Sequence, residues 1–125
     1  MILSQDNKFA LLQPQGCLDS GGGSKLQEQV GAIASDTYKL WVIDLAQVDF
    51  IDSSGLVALI AALNRANKHR CRLVVCNLRP AVRLIFDITR LDQAFEIFDS
   101  QSAALNTLLP VSAETVSVAA QWVAA

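Results

Sequence analysis

The chain has 125 residues, 52% of them hydrophobic and 18% charged, and a formal charge of -2. That length suits one domain able to bury about two thirds of its unfolded surface, and the composition excludes a disordered chain or one that coats nucleic acid. The small negative charge offers no general attraction for polyanions, so no direct nucleic-acid partner is expected.

Lys8 to Leu12, KFALL, reads as a short strand. QPQGCLD after it reads as a turn or second short strand, running into a loop that ends at the glycine-rich GGGS of residues 21–24. A helix follows, in which Leu26, Val30 and Ile33 or Ala34 recur at three to four residues as one buried stripe, and Ser35, Asp36 and Thr37 end it. LWVIDLAQVDFI, from Leu40 to Ile51, has two parts. Its nearly continuous apolar run through Leu45 predicts an interior strand covered on both faces, whereas Val48 and Phe50 alternate with Gln47 and Asp49. A second helix is expected from Ser53 or Ser54 to about Asn67, because Leu56, Leu59, Ile60 and Leu63 take positions i, i+3, i+4 and i+7. Its other face is small or polar at Ala58, Ala61, Ala62 and Asn64, which permits close approach or solvent exposure.

CRLVVCN supplies another central strand through Leu73, Val74 and Val75. Pro80 suits the first turn of a helix containing Val82, Leu84, Ile85 and Phe86, because its fixed φ matches the helix and its missing N–H costs nothing there. A last strand is expected at Phe95 to Phe98. This alternation predicts an α/β domain with a central sheet flanked by helices. Beyond Ser100 the composition shifts to Ala, Ser, Thr and Val: Leu105, Leu108 and Leu109 fit one helix face, and AAQWVAA with Trp122 reads as a docking segment or an unstructured tail. The domain is accordingly set at 1–100, with 101–125 as a C-terminal extension, helical or flexible.

Arg65, Lys68, Arg70, Arg72, Arg79, Arg83 and Arg90 crowd one central segment and read as a solvated surface. Cys17, Cys71 and Cys76 lie in or beside apolar runs without CxxC spacing, and one histidine cannot complete a metal site, so core packing in a reducing compartment is expected and no metal or cofactor. No signal-peptide pattern or membrane-spanning run is recognisable, and the expectation is a cytoplasmic protein.

The chemistry concentrates in VDFIDSSGLVAL, residues 48 to 59. A hydroxyl at a helix start meets backbone N–H groups without intrahelical acceptors, so Ser53 or Ser54 could cap the helix for about 1 kcal/mol. The same donors would stabilise a phosphate carried by that hydroxyl, Gly55 adds close backbone access, and Asp52 could bind a cation or receive a proton. A serine nucleophile also needs a base, yet His69 falls about 20 Å away by the helical rise. No GxSxG, P-loop or dinucleotide fingerprint is present, and GGGSK lacks the rest of a phosphate loop. No catalytic residue is assigned.

VIDLAQVDFIDSSGLVALIAAL followed by RLVVCNLRPAVRLIFDITRLDQAFEIF resembles the STAS domain of anti-sigma factor antagonists of the SpoIIAA and RsbV type, over about residues 8–100. The resemblance implies a small domain with a central mixed sheet, which binds an anti-sigma factor-like serine kinase when unphosphorylated, is released by phosphorylation, and is restored by a PP2C-type phosphatase. It assigns the phosphorylated serine to Ser53, with Ser54 beside it as the ambiguity, and matches Asp52 to the acidic residue before them. Gly16 and Asp19 of GCLD match an early loop that takes part in partner recognition. Partner contact is therefore expected at Gly16, Asp19, Asp52, Ser53, Ser54 and Gly55. The alternative is a constitutive STAS scaffold or ligand-binding module in which DSSG is a turn and cap. One departure stands out: Arg90 replaces the usual glycine after the proline-led helix, where a left-handed conformation would cost roughly 1 kcal/mol or the backbone would take another path.

Overall fold

Why the apolar runs are continuous is answered by a sheet covered on both faces. The computed structural model describes residues 2–4 and 9–108. Strands β1 (Ile2–Ser4), β2 (Phe9–Leu12), β4 (Leu40–Asp44), β6 (Arg72–Cys76) and β7 (Glu96–Phe98) form one sheet in the order β1-β2-β4-β6-β7. The β1–β2 pair is antiparallel and the other pairs are parallel, so the sheet is mixed. Ala10, Leu12, Trp41, Ile43, Leu73 and Val75 point to one core, while Phe9, Leu11, Leu40, Val42, Val74 and Cys76 point to another. Successive side chains alternate faces, and both faces exclude water, so neither needs polar residues.

The first core is closed by helices α1 (Ser20–Gly31), α2 (Ser53–Lys68) and α3 (Pro80–Thr89), through Leu26, Val30, Leu59, Ala62, Val82 and Phe86. The second receives Ala104 and Leu105 of α5 (Gln101–Leu108). Helix packing on the sheet thus continues beyond Ser100. The segment 111–125 and Trp122 lie outside the described residues, as do Lys8 and Leu109.

Three local expectations are corrected, for the GGGS turn, Ile60 and Cys17. GGGS is the first turn of α1 and not a loop: the Asp19 carboxylate caps it, accepting from the Gly22 N–H at 3.0 Å. Two of the glycines are there because the turn is pressed against the Cys17 backbone and α2. A Cβ on Gly22 would lie 2.7 Å from the Cys17 carbonyl oxygen, and one on Gly23 would lie 3.0 Å from the Ala58 Cβ. That closeness also turns the small face of α2 inward and leaves Ile60, one of the four residues of the expected stripe, outside. Ala58, Ala62 and Ala66 are buried beside Leu59, and Ile60 is exposed; Leu56 and Leu63 pack at the core margin. On α3, Leu84 faces solvent while Val82 and Phe86 are inside. Cys17 is exposed, since its strand lies outside the main sheet and only Leu18 beside it turns inward.

At the end of α3, Arg90 keeps the left-handed path, with φ 62° and ψ 20°, and the four-residue α4 (Leu91–Ala94) starts at once. Arg90→Gly should therefore raise stability by up to about 1 kcal/mol in chemical denaturation; a loss of stability would show that the arginine side chain contributes more than its backbone strain removes. Burial, reinforced by the neighbouring Asp44 charge, pushes the Cys76 thiol up to about 12, and burial also raises that of Cys71. Because the thiolate is the reactive form, a neutral alkylating reagent at pH 8 should modify Cys17 alone in the folded protein and all three cysteines after denaturation. Modification of Cys71 or Cys76 at the rate of Cys17 would contradict this packing.

Candidate functional site

Two short strands, β3 (Gly16–Leu18) and β5 (Val48–Ile51), pair in parallel outside the main sheet. Each leads directly into a helix: β3 through Asp19 into α1, and β5 through Asp52 into α2. The two helix starts are thereby set side by side. Gly16 begins this arrangement in the left-handed region at φ 75°, and its N–H donates to the Gln47 carbonyl at 2.8 Å. The Asp52 N–H then donates to the Leu18 carbonyl at 3.2 Å.

Gly55 closes the junction. A Cβ there would overlap the Leu18 carbonyl oxygen, lying 2.8 Å from its carbon and 3.0 Å from the Ile51 Cγ2. No side chain fits between the first turn of α2 and the GCLD strand, so this glycine is required by a close approach and not by its φ.

The cap of α2 is the carboxylate of Asp52, which accepts from the Gly55 N–H at 3.0 Å with its backbone extended at φ -98° and ψ -173°. The hydroxyls expected to cap this helix do not: Ser53 and Ser54 occupy its first two positions and are exposed. Short acceptors compete for the same N–H groups, and the residue just before the helix has the geometry to win. Ser54 lines a shallow groove of about 250 Å³ with Ser20, Gly23, Ser24, Gln27 and Val57 between α1 and α2.

The six residues Gly16, Asp19, Asp52, Ser53, Ser54 and Gly55 thus come together at one end of the domain. Asp19, Ser53 and Ser54 are exposed, Asp52 is partly so, and Gly55 is buried beneath Leu18. His69 caps the opposite end of α2 and cannot relay a proton to either serine. Among the described residues, no three His, Cys, Asp or Glu side chains are grouped to hold a metal ion, and no helix is long and apolar enough to cross a membrane.

Residue-by-residue reading missed the apolar rim. Phe50, the register partner of exposed Cys17, is 52% exposed, and Val57 one turn into α2 is 61% exposed. The alternation of Phe50 with Asp49 did not disclose it, because Asp49 also faces outward and pairs with Arg79 at 2.5 Å. Arg79 also donates to the Ala46 carbonyl at 2.8 Å, so this cation of the basic segment is a brace between α3 and the β4–β5 loop.

Residues 1–104 match the STAS domain family. BtrV of Bordetella bronchiseptica, described as a candidate anti-sigma factor antagonist, is 29% identical over 99 residues, covering 77% of this chain and 85% of that one. The crystal structure of an anti-sigma factor antagonist from Mycobacterium paratuberculosis superposes with a TM-score of 0.74 at 27% identity, over 86% of this chain and 91% of that one. The Bacillus cell fate determinant SpoIIAA in its phosphorylated form shares the fold, with a TM-score of 0.67 at 16% identity, over 86% of this chain and 97% of that one.

Asp52→Ala should cost about 1 kcal/mol of stability through the lost cap, whereas Ser53→Ala, removing an exposed hydroxyl with no capping bond, should change stability by less than about 0.5 kcal/mol. Gly55→Ala should cost about 3 kcal/mol, because the obstruction is backbone and cannot rotate away. Urea titrations of the three variants check the order; an Ser53→Ala loss equal to that of Asp52→Ala would return the capping role to the serine.

Proposed function

The chain belongs to the STAS domain family, and on that premise we propose that it is a phosphorylation-controlled anti-sigma factor antagonist of a bacterial partner-switching system. Unmodified, the end built from GCLD and DSSG docks on an anti-sigma factor-like serine kinase. The kinase transfers the γ-phosphoryl group of ATP to the hydroxyl oxygen of Ser53, with Ser54 as the adjacent candidate, releasing ADP and the hydroxyl proton. A PP2C-type phosphatase hydrolyses the ester back to serine and inorganic phosphate.

One observation carries the reading: the hydroxyls at the start of α2 are free while the helix is capped by its neighbour Asp52. Modification therefore need not unfold the helix that presents it. A phosphate there brings about two negative charges to a surface already holding Asp19 and Asp52. It is accommodated within the protein by the helix N-terminus, but any partner surface that had covered Phe50 and Val57 must then desolvate or neutralise it. The consequence is release. Among the described residues the one histidine caps the far end of α2, so in this reading the base belongs to the kinase, and the protein acts as a binding module and not as an enzyme.

The cavities described beside the two helix starts are small. The cavity between the β2–β3 loop and α1, lined by Gln13, Gln15, Gly22, Lys25 and Gln29 among others, holds about 240 Å³. That is below the roughly 300 to 1,000 Å³ usual for small-molecule sites.

Incubation with the cognate kinase and ATP, followed by mapping of the phosphate, tests the reading. Ser53→Ala should stop most phosphate incorporation while keeping the kinase complex within about threefold of the parent affinity, and Ser53→Asp should weaken it. Phosphate found only on Ser54 would move the site by one residue. Absence of phosphate from both serines, with a competent kinase bound, would remove the switching mechanism.

A further inference from the structure

Asp44 is a carboxylate inside an otherwise apolar strand, 6% exposed. No cation neutralises it among the described residues. Its Oδ1 accepts the Ala46 N–H at 2.9 Å and the Asn77 Nδ2 at 3.1 Å, and its Oδ2 accepts the Gln13 Nε2 at 3.3 Å and the Gln101 Nε2. Four donors thus come from four segments: the β2–β3 loop, the β4–β5 loop, the β6–α3 loop and the first residue of α5. A buried carboxylate requires such donors, and here they tie four separate segments to one side chain. Gln101 is itself buried, and its Oε1 has no partner. Its carboxamide is therefore held through the donor side alone, by Asp44.

From this knot a short series of hydrogen bonds runs to the switch surface. Asp44 fixes the Ala46 N–H, while Arg79 fixes the Ala46 carbonyl from the other side. The next carbonyl, that of Gln47, accepts the Gly16 N–H at 2.8 Å. Two residues beyond Gly16, the Leu18 carbonyl accepts the Asp52 N–H at 3.2 Å, immediately before Ser53. Asn77 makes its bond to Asp44 from a left-handed backbone at φ 58°, a conformation that asparagine tolerates better than most residues.

We propose that Asp44 is the positioning residue of the switch surface, and that through Gln101 it couples the docking of α5 to the geometry of the GCLD and DSSG segments. The value of that coupling to partner binding rests on the function proposed above; the coupling itself does not. Its physical content is reciprocal: whatever loosens α5 loosens the loops below Asp19 and Ser53, and a partner that tightens those loops tightens α5. Contact between neighbours does not by itself establish coupling, so the experiment has to read the remote end.

Amide hydrogen exchange on the full unphosphorylated chain, parent against Gln101→Leu, gives that readout, with kinase affinity measured on the same samples. Gln101→Leu removes the donor to Asp44, keeps apolar bulk and leaves every residue of the switch surface unchanged. We expect at least about tenfold faster exchange in α5 and, with it, at Ala46, Gly16 and Asp52, while the interior amides of α2 from Leu59 to Ala66 keep the parent rate; kinase affinity should fall about threefold or more. Asp44→Asn should reproduce the remote pattern more strongly, and combining the two changes should add little to the larger single effect. Faster exchange confined to α5 would overturn the proposal, as would uniform acceleration that includes the α2 interior, which marks loss of global stability. Exchange is read without the partner, so an exchange pattern as expected with unchanged kinase affinity would overturn the link to binding and not the coupling.

Discussion

The contact between Gly55 and the Leu18 carbonyl is the constraint on which the rest of the site depends. It brings the first turn of α2 onto the backbone of β3 with no side chain between them, and the Asp52 N–H to Leu18 carbonyl bond fixes the register of that approach. Everything useful at this end follows from the resulting closeness. Asp19 and Asp52 each cap their own helix, two helix starts face the same solvent, and the hydroxyls of Ser53 and Ser54 stand beside the GCLD segment. A larger residue at position 55 would separate the two strands, and the acidic and hydroxyl groups would no longer make one surface.

That surface is poised by a division of labour among short polar side chains. Carboxylates satisfy the helix N–H groups, an interaction worth about 1 kcal/mol each, and so the serines are left without structural duty. In the proposed switch a phosphate is added at little cost to the fold, yet it alters the proposed contact surface strongly, because a doubly charged group must lose its hydration or find cations when a partner covers it. Capping and signalling would compete if one serine did both. Assigning the cap to Asp52 removes that conflict.

How much of this could be read in the chain differs by element. The apolar runs at 40–45 and 73–75, the proline-led α3 and the start of α2 were legible because burial on two faces, a fixed φ and a run of hydroxyls leave direct marks in composition. The GGGS turn was not, since glycine in isolation signals a break and only the nearness of Cys17 and Ala58 explains its helical state. For the same reason Ile60 was misplaced on α2 while Leu59 was not: the sequence left the alanine face open between close approach and solvent, and the close helix pair selects burial of alanine. Asp44 did leave a signal, a lone carboxylate in LWVIDL, whose meaning depends on donors 31, 33 and 57 residues away. The six residues proposed for the site come from the motif; their mutual placement comes from β3–β5 pairing, which short strands do not announce.

The central claim is that a phosphate at the start of α2 lowers affinity for the kinase by charge at a formed surface, without refolding. Calorimetric titration of the cognate kinase with the unmodified protein and with the stoichiometrically phosphorylated protein, at two salt concentrations, tests it most directly. The account predicts at least about tenfold weaker binding of the phosphorylated form, with a difference that narrows as salt screens the added charge. Equal affinities for the two forms, with both shown to be folded, would contradict it.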